Sequence, residues 1–193
     1  MGRTQTFDST QVVRAARDVF WDKGFDAASL PDLEAATGLG RSSLYHAFGS
    51  KRGLFDAAVQ DYLDTIIRPR LAVLTEAPLS TDAVGEYFGG LIQAIETLHE
   101  DSPQRGCLLV NSAIFASHDE ALRGVIENYR AELHDAIGQA LRSRFTDASS
   151  ETIVQRTRLL TSLTVSALLI ARINRAEAVA VLHSALDLLA DWE

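Results

Sequence analysis

Apolar residues return at intervals of three and four along most of this chain, and no sustained period-two alternation interrupts them, so the pattern is helical. After the polar segment 1–6, Asp8 can cap a first helix, Gln11 can complete its box, and Phe7 against Val12 supplies a hydrophobic staple. Val12, Val13, Ala16, Val19 and Phe20 form its inner stripe, and Gly24 stops it. Two short helical runs then occupy 29–51. Ser29 caps the first with Asp32 as reciprocal partner, Pro31 sits in the first turn where a missing donor costs nothing, and Leu33 and Ala36 share a face. Thr37, Gly38, Leu39 and Gly40 break the periodicity. Residues 41–48 resume it with Leu44 and Phe48 inward. Helix, glycine-bearing turn and second helix make a helix-turn-helix, whose second helix lies in the DNA major groove with its early residues at the base edges. Its exposed face carries Arg41, Ser42, Ser43, Tyr45 and His46.

Ser50 caps a fourth helix with the stripe Leu54, Phe55, Ala58, Tyr62 and Ile66, and Lys51 stands in its first turn, where ammonium and amide dipoles can hold a phosphate. Pro69 must end or kink this helix. The boundary is therefore placed here: a DNA-binding domain at 1–52, a linking helix at 51–68, and a second domain at 70–193. That domain reads as five helices. The first, 81–99, packs Val84, Phe88, Leu91, Ile95 and Leu98; a short apolar one covers 105–116. Ser117 with Glu120 opens a long helix striped by Leu122, Ile126, Tyr129, Leu133, Ile137, Leu141 and Phe145. The last two, 151–173 and 177–192, are apolar on more than one face and need two burial partners. A core on one side and a symmetry mate on the other predicts a homodimer through a four-helix interface, with Leu163, Leu168, Ile170, Leu182, Leu186 and Leu189 as candidates. The predicted fold class is all-α.

Charge sharpens this picture. The chain carries net charge −8, yet residues 1–60 balance seven Lys/Arg against seven Asp/Glu, so the excess lies wholly beyond them. Residues 41–52 hold three basic side chains and no acidic one. An acidic body with a locally basic edge orients a protein on a duplex. One cysteine excludes an internal disulfide framework and fits a reducing compartment; no basic-then-apolar leader opens the chain, and the longest uncharged apolar stretch, 159–171, is shorter than a bilayer span. The expectation is a cytoplasmic protein with no membrane partner. Enzymatic signals are missing: the histidines lack helical metal-pair spacing, one cysteine cannot build a thiolate zinc site, and Gly38-Leu39-Gly40 lacks the third glycine and preceding strand of a dinucleotide loop. Neither a metal nor a cofactor is expected.

Gly24-Phe25, 33–36, Gly38-Leu39, Leu44-Tyr45-His46-Ala47-Phe48 and Ser50-Lys51 together resemble the N-terminal signature of the TetR family of bacterial transcriptional repressors, over residues 8–55. Gly40 departs from the family's usual Ser or Thr cap, Ala47 from a common second aromatic, and Arg52 from a usual acidic residue. The resemblance implies repression from a palindromic operator on double-stranded DNA, dimerisation through the last two helices, and a small-molecule effector in the second domain. Arg41, Ser42 and Ser43 are then the candidates for base contacts, and Tyr45, His46, Lys51 and Ser29 for phosphates. Ligand pockets are largely apolar with a few orienting polar groups. Tyr87, Phe88, Phe115 and Tyr129, with Cys107, Asn111 and His118, are the candidates, and they suggest an apolar or aromatic effector. In family members with an Arg-Gly-Cys segment like 105–107, a cysteine here senses electrophiles or oxidants, so a redox-sensing repressor acting through Cys107 is an alternative. A helical ligand-binding protein whose helix-turn-helix no longer binds DNA is another, favoured by Gly40 and Ala47.

Overall fold

The computed structural model describes residues 7–192 except 100 and 114, and gives no side-chain placement for Phe115. Segment 1–6, with Arg3, lies outside it. The described residues form helices α1 (Ser9–Ala27), α2 (Leu30–Thr37), α3 (Arg41–Phe48), α4 (Lys51–Tyr62), α5 (Arg68–Ala72), α6 (Ala83–Thr97), α7 (Leu108–Asn111), α8 (Glu120–Arg144), α9 (Ser150–Ile170) and α10 (Arg175–Asp191), with no strand among them. This is the all-α class expected.

Local chemistry accounts for most boundaries. The Asp8 carboxylate accepts from the amides of Thr10 and Gln11 to start α1, and Gly24 leaves the helical region inside it. Ser29 and Asp32 close the reciprocal box at α2. Ser149 and Asn174 cap α9 and α10 by accepting from Thr152 and Glu177. At α8 the cap is Asp119, which accepts from Leu122 N at 3.0 Å, and not Ser117. The apolar run 105–116 yields only the single turn α7 and a 3-10 turn, Phe115–His118.

Pro69 does not stop the helix before it. A π turn, Leu63–Ile67, follows α4 directly, and the amide of Arg68 donates five residues back to Leu63 O. The proline has no amide to give and its ring crowds the carbonyl four residues earlier; the wider register accommodates both defects. The backbone stays helical to Ala72, so the boundary expected near Pro69 falls inside continuous helix.

In the first domain α1, α2, α3 and α4 enclose Ala16, Phe20, Leu33, Leu44, Leu54 and Phe55. Phe55 meets Phe20 edge-on at 5.1 Å and Phe25 at 5.0 Å. Arg17, buried, binds Asp61 at 2.8 Å and so ties α1 to α4. In the second domain α8 packs against α9, and α10 against both α9 and α6. α9 is by length and composition apolar enough to cross a membrane. Here one face of it is packed in the core, where Thr157, Thr161 and Thr164 donate to the carbonyls of Ile153, Thr157 and Leu160, so none of these hydroxyls is stranded.

Candidate nucleic-acid interface and effector cavity

The outer helix of the helix-turn-helix is held by burial on one side. Leu44 is 2% exposed and Phe48 packs on the core, while Arg41, Ser42, Ser43 and His46 face solvent and Tyr45 is half-buried. Gly38 ends α2 in the left-handed region (φ 69°), which a side-chain-bearing residue enters only with strain. Gly53 lets α4 start hard against α3, because a Cβ there would strike Phe48 O.

Gly40, the cap position of α3, has no side chain to offer. The structure supplies the missing acceptor from elsewhere: the Glu34 carboxylate, on α2, takes the Arg41 amide. The reading helix is thus capped across the turn. Sequence inspection misses this because the acceptor comes from the neighbouring helix, outside the usual cap spacing.

One predicted phosphate contact, Ser29, is already engaged. The Ser29 hydroxyl accepts from Asp32 N at 3.2 Å and donates to Asp32 Oδ2 at 2.6 Å, and the Ser29 amide reaches the same carboxylate at 2.9 Å. The Lys23 ammonium, then Ser29, hold Asp32 well below the usual carboxylate range. A phosphate at Ser29 would meet a committed hydroxyl and a fixed anion, whereas Lys23, 2.6 Å from Asp32, presents the cation at this corner. Lys51 lies over the Phe25 ring at 4.7 Å, and Arg41 over Tyr45 at 5.3 Å. Both cations keep hydrogen-bonding capacity for an incoming phosphate or base.

Several contacts join the reading head to the second domain. Arg52 pairs with Asp56 on its own helix and with Asp119, the cap of α8. This gives a local reason for a base at position 52: Asp119 is its acidic partner. Trp21 donates to Arg105 O at 3.1 Å, Gln104 to Asp18 at 3.1 Å, and Arg172 to the carbonyls of Trp21 and Asp22.

Within the second domain a water-sized cavity of about 10 Å³ is lined by Tyr62, Arg70, Tyr87 and Tyr129, with Ile67, Leu71, Leu91 and Leu168. It joins two predicted ligand residues, Tyr87 and Tyr129, and adds Tyr62 and Arg70, which sequence reasoning assigned to a helix stripe and a boundary. Cys107, fully buried, faces the hydroxyls of Tyr62 and Tyr129. Burial pushes its thiol up, and the hydroxyls only partly oppose this. The electropositive, accessible setting of a reactive cysteine is not present around it. Asn111 donates to Arg105 O but leaves its buried Oδ1 without a partner. Phe88 belongs to the core and His118 is exposed, so neither lines the cavity. Phe115's side chain lies outside the described residues.

Leu168, Leu182 and Leu189 are buried within the protomer and cannot form its outer face, because they pack between helices of one chain. The free apolar surface on α9 carries Leu159 and Leu169, 41% and 50% exposed, with Leu163 and Ile170 half-buried beside them. On α10 it carries Leu186, half-buried.

Residues 12–58 match the profile of bacterial regulatory proteins, tetR family. The chain is 34% identical to the uncharacterized HTH-type transcriptional regulator YezE of Bacillus subtilis (strain 168), over 73% of this chain and 72% of that one. It is 33% identical to the HTH-type transcriptional repressor ComR of Escherichia coli (strain K12), over 61% and 55%. Its fold matches that of a cysteine mutant of the TetR family transcriptional regulator CifR complexed with 26-bp double-strand operator DNA, with TM-score 0.81 and 30% identity across 96% of this chain and 98% of that one.

Proposed function

The chain belongs to the tetR family of bacterial regulatory proteins, and on that premise we propose that it represses transcription as a homodimer on a palindromic operator, with α3 of each protomer in one major groove. The observation that carries this is the exposed basic and hydroxyl face of α3, capped and braced on its buried side by Glu34 and Leu44. Arg41, Ser42 and Ser43 read base edges; Tyr45, His46, Lys51 and Lys23 meet phosphates, which set register without reading sequence. Residues 1–52 act as the reading head, 51–68 as the link, and 70–193 as the effector and dimerisation domain. The second copy covers the stripe of Leu159, Leu163, Leu169 and Ile170 on α9, with Leu186 on α10. The relatives named by function are transcriptional regulators, which supports regulation and not catalysis.

An effector in the second domain favours a conformer whose two reading heads no longer match half-sites about one or a few turns apart. A coupling of about 1–3 kcal/mol suffices. The contacts of Trp21, Arg52 and Arg172 across the two domains are the available route. Selection from random DNA at moderate salt, followed by salt titration on the best site, tests the reading. An enriched palindrome whose affinity falls steeply with salt supports it. No enrichment by a folded helical dimer refutes it and favours an idle helix-turn-helix. On the enriched site Arg41→Ala is expected to lose specific affinity far more than non-specific; equal losses would reassign Arg41 to a phosphate.

A further inference from the structure

Arg70 is a half-buried guanidinium with no carboxylate partner among the described residues, and it lines the inner cavity together with three phenols. An outer cleft of about 90 Å³ between α5 and α6 shares Arg70, Tyr87 and Leu91 with that cavity and opens toward solvent. Gly90 stands on its rim, and nothing lies within 4 Å of where a Cβ would be, so no packing demand accounts for a glycine in the helix interior. We propose that the second domain binds a small organic anion through this cleft, its acidic group held by Arg70 and the hydroxyls of Tyr62, Tyr87 and Tyr129. This rests on the reading of that domain as an effector domain, and it names the ligand's chemical class.

Three observations converge. The buried Tyr62 hydroxyl makes no hydrogen bond of good geometry among the described residues; its polar neighbours are the Cys107 thiol, a weak partner at best, and the Leu108 backbone. A buried unmet hydroxyl is costly, and an anionic oxygen is a strong acceptor for it. Burial holds all three phenols in their neutral, donating form, so the protein itself places no anion against Arg70 there. The one carboxylate on the cleft, Glu86, is at the exposed rim and is taken by Ser80 Oγ at 2.6 Å. A partly desolvated cation beside an unmet hydroxyl donor calls for a counter-anion, and Val73 with Leu71, Leu91 and Leu168 around them suits an apolar body. The cavity is closed to water size, so binding must open it. Tyr62 packs edge-on against Trp21 at 4.8 Å, so that opening moves a ring of the reading head's first helix.

The test uses the full chain carrying Trp192→Phe, which leaves Trp21 as the sole indole. Benzoate and hexanoate are titrated against their neutral amides, benzamide and hexanamide, while Trp21 fluorescence is followed. At least one acid is expected to saturate the signal below about 10 mM, with its amide at least about tenfold weaker. Arg70→Gln and Tyr62→Phe should each weaken the acid by about tenfold or more while far-UV dichroism and operator affinity without ligand stay unchanged. Amides binding as tightly as acids, no acid binding in that range, or full binding by the folded Arg70→Gln protein would overturn the proposal. Operator binding is measured on the same preparation. If it persists without any acid response, the anion site alone is discarded. Its absence discards the repressor reading beneath it.

Discussion

The cross-turn cap of the reading helix makes a sharp prediction. Among the described residues, Glu34→Ala removes the only side-chain acceptor at the α3 N-terminus, since Gly40 supplies none. Losing a side-chain cap costs about 1 kcal/mol, and losing a carboxylate from the positive end of a helix a further 0.3–1 kcal/mol or so. The sum, about 1–2 kcal/mol, corresponds to a fall in Tm of roughly 2–8 °C in a chain of this length. Glu34→Gln keeps an acceptor and loses the charge, so it should cost about half as much. The decisive variant is Gly40→Ser. Gly40 already has cap-like backbone (φ −70°, ψ 159°), and nothing lies within 4 Å of an added Cβ, so serine fits and can cap in the ordinary way. In the Glu34→Ala background it should restore most of the loss; with Glu34 present it should add little, because the amides are already served. Thermal and urea unfolding of the four proteins by far-UV dichroism closes this double-mutant cycle. A Glu34→Ala cost below about 0.3 kcal/mol, or an equal gain from Gly40→Ser in both backgrounds, would refute the reasoning.

Three further expectations follow from burial. Leu169→Glu places a charge on the exposed apolar face of α9 without touching the protomer core, and should convert the proposed dimer to a folded monomer by light scattering; a dimer unchanged by it would move the interface elsewhere. Cys107, Tyr62, Tyr87 and Tyr129 all have raised pKa values in the folded chain because burial opposes their anions. Groups raised on folding contribute stability that is complete below their unfolded values and is lost as pH climbs toward the folded ones. Urea midpoints should therefore decline from about pH 9 upward, and Cys107 should resist alkylation in native protein while reacting on unfolding. Rapid native alkylation at neutral pH would instead favour a sensing cysteine.

The helix-turn-helix was legible because its determinants act within a few residues. Ser29 with Asp32, the left-handed Gly38, and Ser50 accepting from Gly53 are short-range devices that read the same in isolation and in the fold. The start of α8 was not legible to the residue. Ser117 and Asp119 are both competent caps, and the choice of Asp119 goes with its pairing to Arg52, 67 positions earlier. The end-or-kink choice at Pro69 was open in the sequence for a related reason. Its missing amide is a local fact, but whether the helix ends or widens into a π turn depends on how strongly the flanking Tyr62, Ile67 and Leu71 are buried. The candidate cavity was half legible: Tyr87 and Tyr129 were named, while Tyr62 and Arg70 reach it from another helix stretch.

The sequence by itself determined the helical class, the order of the main helices and the caps of α1, α2, α4 and α10, since periodicity and short-range capping are set by neighbours along the chain. Only the tertiary structure decided which leucines of α9 and α10 are core and which are free, which carboxylate caps α3, and that Arg70 lines one cavity with three phenols and, among the described residues, no carboxylate partner. Those outcomes depend on groups brought together from distant positions, where packing and desolvation choose among partners that local pattern leaves equivalent.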